Sequence, residues 1–351
     1  MTKAKLRALL FGIVGAVLAF DLLAVAHGQA PLALAQLLWE GTWGNPYGIG
    51  QVLFKATPLL LVALGVDLAL RAGLFNVGAE GQLAAGSFVA AVVGAKVTGL
   101  PPVLAVTVTL SAAAAAGALL ALGPSYLRVR FGAHEVISTI MTNNIISGVL
   151  SFAMASGFAL QGTVRTQDLP RVARLPRLDA MGLFVFRGSA VSAALFIALG
   201  FAMLLWWGAP RLRALKEIEL VGQNERAAGA AGIGVAQRRM LAFAGSGALC
   251  ALAASATVLG YKGYYEEGLG AGAGFAGLGV ALLGKGRVGG IVLAALLFAT
   301  LEQGGLALNA VVPKEAMDVL SAVIVLVAAL SSARGQALFA TPAVAEEPNG
   351  T

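Results

Sequence analysis

Apolar runs of bilayer length, separated by short polar or Gly/Pro-rich breaks, recur along this chain and predict membrane-spanning helices. The first run, Ala8 to Ala26, holds one charge, Asp21, and follows Lys3, Lys5 and Arg7. Its Ala24-Val25-Ala26 end also has the small-x-small form that a signal peptidase accepts, but the near-bilayer length favours an uncleaved span. An interfacial stretch follows, carrying Trp39, Trp43 and Tyr47, whose rings favour the headgroup layer. A second span ends near Arg71, a third runs from Gly78 to Val97, and a fourth from Val103 to Leu122 stops at Gly123-Pro124. The fifth covers Val136 to Gly157 and the sixth Ser189 to Gly208. Spans seven to ten occupy 241–260, 272–284, 289–305 and 317–333. Two polar intervals interrupt the pattern: residues 158–188, with Pro170 and Pro176, and the basic segment 210–240. Residues 1–335 therefore read as one transmembrane domain, and 336–351, with Pro342 and Pro348 among small and acidic residues, as a disordered tail.

Composition sharpens this picture. Of 351 residues, 58% are hydrophobic and 12% charged, against roughly 45–50% and 25% in soluble domains. At about 20 residues per span, that apolar content supplies about ten helices. The expected fold is an all-α polytopic membrane protein. Mean hydropathy of +0.85 excludes disorder. The 46 glycines lack a collagen period, and a single cysteine, Cys250, excludes a disulfide scaffold. His27 and His134 are too far apart in sequence to form a metal cluster with it.

A net charge of +7 could indicate nucleic acid, but the 24 Lys and Arg punctuate the apolar runs instead of forming one basic stripe. No nucleic-acid partner is expected. The distribution is that of topology, in which cytoplasmic loops collect Lys and Arg. Most of these residues, among them Arg71, Arg128, Arg130 and the cations of 210–240, fall on the side predicted to be cytoplasmic. Arg165, Arg171, Arg174, Arg177 and Arg187 do not; they lie in the 158–188 loop, kept outside because reversing it would break the parity of its neighbours. Both termini then lie inside, and the chain is a multi-pass protein of the cytoplasmic membrane. Asp67 and Arg71, four apart on one helical face, are expected to pair near the inner surface.

Chemistry-bearing motifs are scarce. No Gly-x-x-x-x-Gly-Lys-Ser/Thr run occurs, and no Ser-His-Asp arrangement stands out. Glu266 and Glu267 are adjacent, which on a helix would point them about 100° apart. Neither an enzyme nor a bound cofactor or metal is expected. Glycine instead concentrates in two apolar places, Gly73 to Gly86 and Gly268 to Gly290. One reading is discontinuous helices, with breaks at Gly73, Gly78, Gly81, Gly270, Gly272 and Gly274, beside a solute pathway. The other is close helix packing through small residues, which Gly270-x-x-x-Gly274 would support. A dinucleotide loop is excluded, since the every-second-residue glycines of 268–274 lack G-x-G-x-x-G spacing.

The first of these places reads Gly73-Leu74-Phe75-Asn76-Val77-Gly78-Ala79-Glu80-Gly81-Gln82. It resembles the signature of ABC-importer permeases of the branched-chain amino acid, ribose and nucleoside family. The resemblance continues through His134 to Asn144, Gly222 to Ile233 and Gly274 to Gly284, so that four ordered blocks cover roughly residues 50 to 335. The Glu80-Gly81-Gln82 and Glu135-Val136-Ile137-Ser138-Thr139 forms are closer to the nucleoside type than to the ribose or amino acid types.

The resemblance implies nucleoside import, with a simple sugar or a branched-chain amino acid as the alternative. It also implies a second permease chain, similar but distinct, an ATPase subunit that uses the ATP, and an external substrate-binding lipoprotein. Candidate pathway residues are Asn76, Glu80, Gln82, Asn143, Asn144 and Phe275. The polar side chains among them could hydrogen-bond a hydroxylated solute, or satisfy broken helices or neighbouring helices instead. Segment 210–240 corresponds to the loop that couples to the ATPase, with Asn224, Glu225, Arg226, Ala227, Ala228, Gly229 and Gly232 as candidate contacts. It departs from the usual Glu-Ala-Ala-x-x-x-Gly pattern. An ion-coupled secondary transporter, with Glu80 as its acidic group, and a non-transport membrane scaffold are the remaining rivals.

Overall fold

A computed structural model describes residues 3–330; the expected disordered tail, 336–351, lies outside the described residues. Among the described residues there are thirteen α-helices and, apart from two isolated bridges, no strand pairing. All ten predicted spans are represented by helices. The chain opens with α1 (Lys3–Ala26), then bends by 106° into α2 (Pro31–Gly41), which carries the exposed Trp39 of the interfacial stretch.

The central element is α3 (Pro46–Arg71). Asn45 starts it by accepting a hydrogen bond from Gly48 N at 2.7 Å, and Pro46 fits the first turn, where no N–H is needed. From Ala56 to Ala69 every residue is buried, so this helix is apolar all round and surrounded by neighbours. At about 1.5 Å per residue its 26 residues span roughly 39 Å, and its two ends mark the two ends of the bundle. The 158–188 interval lies at the Pro46 end, where Gly50 packs on Phe186 and Ser189. The 210–240 segment lies at the other end, where Gly222 packs on the Arg71 carbonyl. The two polar intervals thus occupy opposite ends.

Two short apolar helices, α4 (Ala79–Gly94) and α11 (Ala273–Gly284), are roughly 24 and 18 Å long, less than a hydrocarbon core of about 30 Å. Each follows an irregular stretch. Gly73 enters the first with φ +73°, and Gly268, Gly270 and Gly272 all take left-handed φ near +80° in the second. The every-second-residue glycine spacing is therefore a backbone requirement.

Between and after these come α5 (Pro102–Phe131), α6 (Glu135–Ala153), α7 (Ala194–Gly208), α8 (Arg213–Gln223), α9 (Glu225–Ala230), α10 (Val235–Ala251), α12 (Val288–Leu308) and α13 (Lys314–Leu330). Wide π-helical turns extend α6 to Phe158 and take the chain beyond α10 to Lys262. With those turns, α3, α5, α6, α10 and α12 are each long and apolar enough to span alone. The fourth span does not stop at Gly123-Pro124; α5 runs on to Phe131. A proline inside a helix need cost only one backbone bond locally, and the real stop is Gly132, at φ +69° with its N–H on the Leu127 and Arg128 carbonyls.

The long interval between α6 and α7 is tied down. Thr166, Leu169 and Leu175 donate backbone N–H groups to the carbonyls of Tyr265, Gly263 and Leu259. Three of its five arginines are anchored within it or on its neighbours: Arg165 and Arg174 both reach Asp168, at 3.2 and 3.5 Å, and Arg177 donates to the Ser189 carbonyl at 2.8 Å.

Helix α10 packs between α3 and α5. Where α5 and α10 cross, a Cβ on Gly117 or Gly247 would overlap the other's carbonyl oxygen, so two backbones touch directly. Replacing Gly247 by Ala is expected to push these helices apart at an overpacking cost of about 1–3 kcal/mol, read as a lowered melting temperature of the solubilised protein. An unchanged melting temperature would contradict the backbone contact.

Candidate functional site

The irregular stretch before α4 leaves backbone groups without helical partners inside an apolar bundle, and polar side chains answer them one by one. Asn76 accepts from Gly78 N at 2.9 Å through its Oδ1, and its Nδ2 donates to Gln82 Oε1 at 2.9 Å and Ser246 Oγ at 2.8 Å. Asn76 and Gln82 are buried, and this closed network ties the break to α10. From α6, Asn143 clamps the same stretch, accepting from Gly81 N at 3.0 Å and donating to the Val77 carbonyl at 2.9 Å. A Cβ on Gly81 would strike Asn143 and Ile146, so the clamp requires glycine.

Glu80 lies in the first turn of α4 and reaches the start of α11. Its Oε1 accepts from Gly272 N at 2.7 Å and its Oε2 from Gly274 N at 2.8 Å. One carboxylate thus sits at the positive ends of two short helices, which offsets the roughly 2.5–3.5 kcal/mol charged side chains cost at mid-membrane on insertion scales. Gly274 packs against the backbone of Glu80, where a Cβ would overlap Cα and N.

Beside this junction is a cavity of about 140 Å³ between α4, α6 and residues 265–271. Glu80, Asn143, Ser147, Tyr265 and Glu267 contribute polar groups to its wall. Ser151, one turn beyond Ser147, donates its hydroxyl to Glu267. Asn143, Ser147 and Ser151 belong to a ladder of which only Asn143 is among the sequence-based candidates: Glu135, Thr139, Asn143, Ser147 and Ser151 recur at four-residue steps along α6, over roughly 24 Å. Glu135 anchors its first rung to Arg128 at 3.3 Å, and Thr139 is fully buried. The unbroken four-residue period of polar residues in an apolar run was the available signal. For Glu267 no local signal existed, because it is brought to Ser151 from 116 residues away.

Of the candidate pathway residues, Glu80 and Asn143 line the cavity; Asn76 and Gln82 lie behind it, inside the bundle. Asn144 and Phe275 are exposed on the outer faces of α6 and α11. A larger open depression beside Arg165 and Glu266 is a feature of the surface, apart from the junction.

The family described as branched-chain amino acid transport system, permease component, matches residues 48–329, from α3 to α13. The chain belongs to this family. It is 33% identical to the guanosine ABC transporter permease protein NupP of Bacillus subtilis, over 92% of this chain and 93% of that one. It is 30% identical to the glucose ABC transporter permease protein TsgB13 of Haloferax volcanii, covering 86% and 81%. With the nucleoside ABC transporter permease protein NupB of Lactococcus lactis the identity is 29%, covering 92% and 90%. The chain is an ABC importer permease, a multi-pass membrane protein.

In this permease the basic end is built around α8 and α9. Asn224 caps α9 by accepting from Ala227 N at 3.0 Å, and Glu225 holds Arg239 of α10 through two bonds of 3.0 and 2.9 Å. Ala228 is buried, whereas Arg226, Ala227 and Gly229 face outward and Gly232 turns the chain at φ +79°. Gly222 and Gly73 touch backbone to backbone, which puts this segment directly under the break before α4. Arg71 closes the same end, on Asp67 at 2.8 Å and the Gly286 carbonyl at 2.9 Å.

Glu217 lies between Arg213 at 2.6 Å and Arg238 at 2.5 Å. The Arg213 hydrogen bond, joined by the Arg238 charge, holds its carboxyl below the ordinary 4.5. A depressed folded value means the clamp stabilises the fold above pH 4.5 and loses that contribution as pH falls through the folded value. Hydrogen exchange of residues 213–238, corrected for intrinsic rate, should stay flat above pH 4.5 and rise below it. In Glu217→Gln the rise should vanish, and its persistence would contradict the clamp.

Replacing Glu80 by Ala leaves two helix-start N–H groups without their acceptor, an expected loss of about 1–3 kcal/mol each. Thermal unfolding of the solubilised protein should place Glu80→Ala lowest and Glu80→Gln, which keeps one acceptor, between it and the parent. Equal melting temperatures for all three would refute the junction.

Proposed function

We propose that this permease carries nucleosides inward as one half of a heterodimeric ABC importer in the cytoplasmic membrane. The observation that carries the reading is the cavity at the junction of two half-helices, lined by residues with carboxylate, amide and hydroxyl groups. Such groups replace the water of a neutral, hydroxylated solute without demanding a charge on it. The similarity to permeases named for guanosine and nucleosides supports that solute class. A simple sugar is the second reading, favoured by the similarity to a permease named for glucose.

The partners are an ATPase subunit, a second permease chain and an extracytoplasmic substrate-binding lipoprotein. ATP acts in the ATPase subunit, and none is assigned to this chain. In this reading the basic end, with Arg226, Ala227 and Gly229 outward, faces the cytoplasm and the ATPase, both termini are on that side and the 158–188 interval is outside. Closure of the ATPase pair moves α8 and α9, and the Gly222–Gly73 contact passes that movement to the break before α4. The half-helices then switch between outward and inward opening. An ion-coupled mechanism would need a mid-membrane acid able to exchange its partner, whereas both oxygens of Glu80 are engaged by backbone N–H groups.

Proteoliposomes holding this chain, its co-purified partners, the binding protein and internal ATP are expected to take up radiolabelled nucleosides, with ribose and leucine failing to compete. Uptake that ignores ATP and follows a proton or sodium gradient would overturn the reading.

A further inference from the structure

Glu267 differs from the other carboxylates near the junction. Both oxygens of Glu80 are engaged, by Gly272 N and Gly274 N, and Glu266 is paired with Lys262 at 2.9 Å. Among the described residues, Glu267 has no cation within ion-pair distance and accepts a hydrogen bond only from the Ser151 hydroxyl, through one oxygen. A carboxylate offers about four lone-pair sites, so most of its acceptor capacity stays open at the exposed edge of the cavity it lines. Ser147 stands on the same wall and can both donate and accept. The volume of about 140 Å³ is well below the roughly 300–1,000 Å³ of pockets that enclose a whole drug-sized ligand, so it admits one ring and leaves the rest of the solute outside.

We propose that Glu267, with Ser147 beside it, is a diol anchor: its carboxylate accepts from two neighbouring hydroxyls of a sugar ring seated in this cavity. The proposal rests on the nucleoside-or-sugar reading above and names the part of the solute that this chain recognises. Vicinal ring hydroxyls are what a ribonucleoside and glucose have in common. A scaffold that reads only the diol can therefore serve permeases named for either. Charge-assisted O–H···O⁻ bonds are about twice as strong as neutral ones, and a site built for hydroxyls strongly rejects analogues lacking them. Glu267 enters the cavity from the segment just before α11, whose three left-handed glycines end at the Glu80 junction. Occupancy of the anchor is thus coupled through five residues of chain to the start of a half-helix.

The test uses the reconstituted complex with its partners, binding protein and internal ATP, and tritiated guanosine or glucose as probes. Glu267→Gln should lower uptake of the transported probe about tenfold, the loss of one strong hydrogen bond, and Glu267→Asp should recover part of it. In saturation-transfer NMR on the solubilised complex without binding protein, the sugar-ring protons should receive most saturation, and Glu267→Gln should abolish it. Uptake by Glu267→Gln within twofold of the parent, or saturation centred on the base, would overturn the anchor while leaving the transport reading intact. Failure of the parent complex to take up either probe would overturn the transport reading and the anchor with it. Assembly is followed by co-elution with the partner subunits. Should Glu267→Gln not assemble, Ser147→Ala carries the same test, with a few-fold loss expected and unchanged uptake overturning the proposal.

Discussion

The carboxylate of Glu80 decides what α4 and α11 can be. A helix that begins inside a bilayer leaves up to four N–H groups without intrahelical partners, and no water is there to take them. Two such helices begin here, side by side: Asn76 and Asn143 accept from N–H groups at the start of α4, and Glu80, in the first turn of α4, accepts from two at the start of α11, where the dipoles of both helices favour its charge. Remove that arrangement and each half-helix would have to be extended, unwound or rehydrated. The glycines on either side follow from it: Gly274 permits the approach of the two backbones, and Gly268 to Gly272 give the chain its route to the junction.

Around this point the polar residues divide by the direction they face. Asn76 and Gln82 look into the bundle and spend their hydrogen bonds on the break and on Ser246. Asn143 is shared, with its amide bound to backbone and its position on the cavity wall. Ser147 and Glu267 look outward into space. A membrane protein that handles hydroxylated solutes needs both kinds, because the same break that opens a polar path would otherwise leave its own backbone unsatisfied.

Hydropathy made the ten apolar segments legible, since twenty consecutive apolar residues have few other uses. Lengths were less legible. The run 78–97 is largely apolar, yet α4 occupies only part of it, because its start is set by Asn76, which accepts from Gly78 N, and by Asn143 of α6, which accepts from Gly81 N. At Pro124 the sequence shows a stop signal that the helix passes over, and the true end is written in Gly132. The pairing of Asp67 with Arg71 was readable from spacing alone and is present at 2.8 Å. In the candidate site, Glu80 and Asn143 stood out as polar groups in apolar surroundings. Glu267 did not, sitting beside Glu266 in a short polar run whose partner on α6 only the fold supplies.

The contact between Gly222 and the Arg71–Gly73 turn has a mechanical meaning. Most joints between segments are made of side chains, which yield by changing rotamer and so absorb small displacements. Here two main chains meet with nothing between them, and the interior of a protein compresses very little. The joint has almost no slack: a shift of α8 by a fraction of an ångström is a shift of the residues that lead into α4. The basic segment and the junction of the half-helices are thus joined as a stiff lever, and sensitivity to movement at one end is built into the absence of two side chains.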